Sequence, residues 1–200
     1  MKLLSSVSLL SLLSLATALS GCAGLNAVDS EVSTYSQWPV ERKPSTFAFE
    51  RLPSQQARPQ EQTELEAVAR PALLSAGFRE VADAKEADLT VQVGARVSRA
   101  DRMPYDDPFW WRGGFYGPRF GRPLWGPGYS MLYDSPRYDR EVAVLIRDRQ
   151  SNQPLYEARA SNDGLSVGGN QLMAAMFQAA MKDFPHTGLN PRRVSVQLPG

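Results

Sequence analysis

The chain has 200 residues, with 22 Lys and Arg against 21 Asp and Glu, one His and one Cys. That balance excludes a module that grips nucleic acid or an anionic lipid surface through a basic excess, and a lone cysteine excludes an intrachain disulfide or a cysteine-built zinc site. The length fits one domain able to bury a core without disulfides.

Met1-Lys2 carries one positive charge, and Leu3 to Leu19 is then free of charge, rich in leucine and diluted by Ser5, Ser6, Ser8, Ser11 and Ser14. A spanning helix needs about 20 predominantly apolar residues, so this stretch reads as a secretory signal ending in small residues. Leu19-Ser20-Gly21-Cys22 follows directly. These residues resemble the lipobox of bacterial lipoproteins, which implies cleavage before Cys22 and attachment of fatty chains to it. One chain holds a bilayer with a constant of only about 10⁴ per molar, whereas two or more anchor stably. With Ala23 instead of aspartate after the cysteine, the resemblance further implies the periplasmic face of a Gram-negative outer membrane. Residues 1–21 are then a signal peptide, 22–27 the lipidated start and a tether, and 28–200 one domain. Loss of Lys2 with the signal leaves basic and acidic side chains equal in number. The bland alternative is a chance cysteine beside an ordinary cleavage site.

Val28 to Tyr35 is expected to form a first strand. Thr46-Phe47-Ala48-Phe49 is a clearer one, with Phe47 and Phe49 at period two between Pro44 and Pro53. A helix opens at Arg58 to Gln62. Leu65, Val68, Ala69, Ala72, Leu73 and Ala76 recur at helical offsets, and Gly77 stands where the helix should end. Pro71 predicts a kink or early break. From Ala87 to Val97 the alternation is clean, with Leu89, Val91, Val93, Ala95 and Val97 inward. Glu141 to Arg147 is apolar on both faces, as a central strand is. Asp148 to Gln153 is a turn, and Leu155 to Ala160 the returning strand of a hairpin. A second helix is expected from Gly168-Gly169-Asn170 to Phe184, capped by Asn170. Its Leu172, Met173, Met176, Phe177 and Ala180 make a wide stripe that suits core packing better than an adaptable groove. Val194 to Leu198 reads as a last strand. The expected fold is α+β: a mixed, mostly antiparallel sheet of about five strands with two helices on one face.

The lipobox cysteine, Thr46 to Phe49, Gly77-Phe78, Ala87-Asp88-Leu89-Thr90-Val91, Val144-Leu145-Ile146-Arg147-Asp148, Leu155-Tyr156 and Phe184-Pro185 together resemble the bacterial lipoproteins of domain of unknown function family 4136. The likeness spans nearly the whole mature chain. Tyr156, where tryptophan is more usual, and the tail from His186 to Gly200 depart from it. The resemblance implies a fold and an envelope location, and it brings no catalytic residues.

Between the two best strands lies the segment 101–138, which contains Asp106 to Tyr129, DDPFWWRGGFYGPRFGRPLWGPGY. Phe109, Trp110, Trp111, Phe115, Tyr116, Phe120, Trp125 and Tyr129 are separated by Gly, Pro, Arg112, Arg119 and Arg122, so no helical or strand period survives. Three readings stand: an irregular loop with some rings folded onto the sheet, a ring-lined surface for peptidoglycan or peptide, and contact with a membrane interface. For the second, the candidate ligand-binding residues are Phe109, Trp110, Trp111, Arg112, Tyr116, Arg119, Trp125 and Tyr129. Stacking on single-stranded nucleic acid is disfavoured by exposure to the periplasm.

An enzyme is hard to assemble from these residues. His186, the single histidine, stands after the second helix, where a cation complements the helix dipole better than it serves as an unpartnered base. Asp106-Asp107 is a carboxylate pair in a segment where neighbouring acids stay solvated. No phosphate-cradling glycine loop with a following lysine occurs, and one distant histidine makes no triad. The sequence therefore predicts a non-enzymatic envelope accessory without cofactor or metal, its partners being the membrane through Cys22 and peptidoglycan or an envelope protein. An envelope hydrolase is the alternative.

Overall fold

A computed structural model of the chain describes residues 26–100 and 137–198. Among these residues, seven strands form one sheet: β1 (Ala27–Ser36), β2 (Thr46–Phe49), β3 (Arg79–Glu80), β4 (Leu89–Ala100), β5 (Arg137–Asp148), β6 (Pro154–Gly164) and β7 (Arg192–Gln197), in spatial order β3-β2-β4-β5-β6-β1-β7. Three α-helices accompany them, α1 (Pro53–Gln56), α2 (Pro59–Ser75) and α3 (Asn170–Met181). Neighbouring β4, β5, β6, β1 and β7 run antiparallel, while β2 lies parallel to both β4 and β3. The mixed, mostly antiparallel character matches the expectation, with more pieces than the five strands and two helices anticipated. β3 has two residues and α1 four, too few for either to show a period.

The sheet has a covered and an open face. Val32 of β1, Val91 of β4, Val142, Val144 and Ile146 of β5 and Ala158 of β6 are buried by strand alternation, in one core with Leu73 of α2 and with Met176 and Phe177 of α3. Central β5 also carries Ala143 and Leu145 half-buried on the other face, which accounts for its two apolar sides. At one end of the core, rings meet edge to face. Trp38 lies 5.7 Å from Phe78 and 4.8 Å from Phe184, and Tyr156 lies 5.2 Å from Phe184, an arrangement favoured by the ring quadrupoles. Tyr156 is buried and its hydroxyl donates to the Ala180 carbonyl at 3.3 Å, joining β6 to α3.

Several local expectations need correction. α2 runs unbroken through Pro71. Pro71 and Ala67 are exposed, so the carbonyl at residue 67 that loses its helical donor is on the solvent side of the helix, where water can satisfy it. The end of α2 does follow the sequence signal: Gly77 adopts φ 94°, its amide donates to Leu74 and that of Phe78 donates to Leu73, a Schellman closure that glycine makes inexpensive. α3 is shorter than expected. Gly169 is its N-cap, Asn170 is already helical, and the helix stops at Met181 with no basic residue in its last turn. Phe184 drops into the aromatic cluster and draws the chain off the helix axis. His186 instead closes a turn through its amide, 2.8 Å from the Asp183 carbonyl.

Candidate functional site

Cys22 and the aromatic residues Phe109, Trp110, Trp111, Arg112, Tyr116, Arg119, Trp125 and Tyr129 lie outside the described residues, as do Asp106 and Asp107. The scaffold at the base of the aromatic segment is described. β4 and β5 pair without interruption from Leu89 opposite Asp148 to Ala100 opposite Arg137. Both strands run further than their apolar patterns, and residues 137 and 138, assigned to the insert from sequence, are strand. Once two antiparallel strands are in register, each satisfies the other's backbone groups, and no apolar alternation is needed to continue.

This ladder divides into two environments. The inner part is covered by the helices, and the cover stops at Val93, whose carbonyl accepts the side-chain amides of Gln55 (2.8 Å) and Gln62 (3.3 Å). β2 pairs with β4 only from Leu89 to Val91. Beyond that point Ala95 and Val97 still belong to the inward file, yet Val97 is 37% exposed. Polar pairing replaces burial there: Arg96 stands opposite Glu141, Ser98 opposite Asp139, and Arg137 pairs with Asp163 at 2.6 Å.

Arg140 occupies the inward file of β5 just below Val142 and is only 3% exposed. Its Nη1 donates to Asn162 Oδ1 at 2.7 Å, and Asn162 Nδ2 donates to the Asp29 carbonyl at 2.7 Å. The Nε–H has no partner, nor does the buried Ser30 hydroxyl. Glycines roof the guanidinium. A Cβ on Gly164 would collide with Nη2, and one on Gly168, which has φ 86°, would sit 3.3 Å from Arg140 Cδ and 3.4 Å from Leu172. Gly168 leads straight into the N-terminus of α3, which has no side-chain cap and no acid in its first turn. Sequence reasoning missed Arg140 because it began the strand at Glu141. The available signal was the even-numbered file Val142, Val144, Ile146, which one step backwards places an arginine indoors.

Several other charges are paired. Arg51 grips the buried Glu66 with Nε and Nη2 at 2.7 and 2.6 Å, and Arg192 pairs with Asp183. The Ser151 amide, followed by Arg42, holds the Asp148 carboxyl down to about 2 from an ordinary 3.8. Burial pushes the Tyr156 hydroxyl upward, so it stays a neutral donor. Among the described residues no three His, Cys, Asp or Glu side chains group into a metal site, and no helix is long and apolar enough to cross a membrane. His186 is exposed.

Residues 31–186 match the family described as Domain of unknown function (DUF4136), and the chain belongs to that family. No curated protein matches it. Among solved structures, a PDZ domain protein from Parabacteroides distasonis is 15% identical with a TM-score of 0.53, over 90% of this chain and 41% of that one. This chain thus spans about two fifths of that protein, and at such identity the likeness concerns fold alone. The PelC dodecamer from Paraburkholderia phytofirmans is 12% identical with a TM-score of 0.41, over 76% of this chain and 94% of that one. A DUF4136 family protein from Bacteroides thetaiotaomicron is 16% identical with a TM-score of 0.30, over the same shares of 76% and 94%.

Proposed function

We propose that the protein is a lipoprotein held at the periplasmic face of the outer membrane by fatty chains on Cys22, and that it serves there as a non-enzymatic binding or maintenance accessory of the envelope. The observation that carries this reading is Leu19-Ser20-Gly21-Cys22 placed directly after an uncharged leucine-rich stretch and followed by Ala23. More than one acyl chain makes dissociation slow, so the folded domain acts on what lies within reach of its tether. Fractionation tests this: the wild-type protein should sediment with outer membranes, while Cys22→Ser should leave them. Equal distribution of the two proteins would oppose the anchor.

A second reading adds a ligand. The rings and arginines from Phe109 to Tyr129, which in sequence lie between the paired strands β4 and β5, suit sugar rings and acidic groups, and peptidoglycan is the obvious polymer in that compartment. In this reading 101–136 is an irregular aromatic loop that reaches the polymer while the domain stays tethered. Deleting Phe109 to Tyr129 should abolish co-sedimentation with purified peptidoglycan, and unchanged co-sedimentation would oppose it. An envelope hydrolase would instead show a turnover lost in His186→Ala, Asp106→Asn or Asp107→Asn with the fold retained.

A further inference from the structure

We infer that Arg140, together with the glycine-framed loop 164–169 and the start of α3, is a binding site for an oxyanion, a carboxylate or phosphate group. Arg140 as a residue is 3% exposed and its Nε is closed to water, and burial of a charge is strongly unfavourable unless a counter-charge is supplied. The described residues supply none: among them Arg140 donates to the neutral Asn162 amide, and Nε is unpartnered. Asn162 occupies Nη1. The edge left over is Nε with Nη2, a planar two-donor fork whose spacing matches the oxygens of a carboxylate or phosphate.

The surroundings favour the same charge. Gly169 caps α3 without a side-chain acceptor and no acid sits in the first turn, so the orphan amides there retain their partial positive charge for a ligand. At both roof positions the loop backbone packs directly on the Arg140 side chain, since a Cβ on Gly164 or Gly168 would press on it. The hydroxyl of Ser30, also without a partner, lies on the same inward side, on β1 beside the Asp29 carbonyl that receives Asn162.

Nε is closed to water in this conformation, so an anion enters when the loop lifts. Little holds the loop down, because Leu165 and Val167 at its crest are 71% and 53% exposed. Gly168, in the left-handed region at φ 86°, supplies the pivot beside the helix start. A soluble anion, a lipid phosphate and a peptide carboxylate share this chemistry.

The test reads the atom itself. In the full chain labelled with ¹⁵N, the Arg140 Nε–H resonance is assigned by its loss in Arg140→Lys and followed while inorganic phosphate, glycerol phosphate or acetate replaces chloride at constant ionic strength. A saturable shift of that resonance with at least one probe is expected. At about ten times the dissociation constant, the same probe should raise the unfolding midpoint by about 3 °C in wild type and leave Arg140→Met unmoved. Preference for glycerol phosphate over inorganic phosphate would assign the anion to a phosphoester such as a lipid headgroup, preference for acetate to a carboxylate, and either supports the site. An Nε resonance that ignores all three probes overturns it, whether or not Arg140→Met folds.

Discussion

The two halves of the β4–β5 ladder share one register and one hydrogen-bond pattern, yet different forces hold them. In the inner half, Val91, Val93, Val144 and Ile146 are sealed under α2 and α3. In the outer half, from Arg96 to Ala100 and from Arg137 to Glu141, the inward file runs through exposed Val97 to buried Arg140, and cross-strand polar pairs take over. The lesson is that backbone pairing carries a strand past the point where side-chain burial ends, here as far as Ala100 and Arg137. The same boundary places a charged side chain indoors, at the edge of the cover.

The sharpest way to break this comparison is a matched pair of truncations read by denaturant unfolding. Ile146→Ala should cost about 3 kcal/mol, because the surrounding rings and helices relax only in part around the cavity. Val97→Ala, on the same face, should cost below about 0.5 kcal/mol. Similar losses at the two sites would erase the distinction. Next comes the fastening of α2 to the chain after β2. Arg51→Ala strands the buried Glu66 carboxylate, and the expected loss is about 2–3 kcal/mol, below the figure for a fully buried pair because Arg51 keeps some solvent. Glu66→Gln in the Arg51→Ala background should recover part of it. Gly77→Ala should cost about 1–2 kcal/mol, since its φ is 94° and the new Cβ would lie 3.3 Å from Pro44 Cγ.

The smallest effect depends on pH and belongs to the inner end of the ladder. Asp148 titrates near 2 in the folded chain against 3.8 ordinarily, owing to the Ser151 amide and then Arg42. A depressed carboxyl stabilises the fold above its unfolded value, and the contribution fades as pH falls through the folded one. The stability gap between wild type and Asp148→Asn should therefore be constant above about pH 4 and shrink toward pH 2. A gap that widened with acid would contradict the assignment.

Much of the inner region was legible in the sequence because burial writes periodicity. Leu89, Val91 and Val93 alternate, Val142 to Ile146 do the same, and Leu73 and Phe177 sit on helical stripes. What escaped detection was held by other forces. β3 and α1 exist through neighbours rather than pattern, the far reach of β4 and β5 rests on backbone pairing, and α3 ends early because Phe184 is claimed by the aromatic cluster. Arg140 went unread since a charged residue at the head of an apolar file looks like the end of the strand. The proposed anchor and the aromatic segment, by contrast, rest on sequence chemistry alone: a cysteine after an uncharged leucine-rich stretch, and rings spaced by glycine and proline.

The proposed location and partners rest on the proposed acylation of Cys22, and the intact mass of protein extracted from its own cells tests that directly. The account expects a chain that lacks residues 1–21 and begins at Cys22 carrying the added mass of fatty chains. A free thiol, or a chain still starting at Met1, would contradict it.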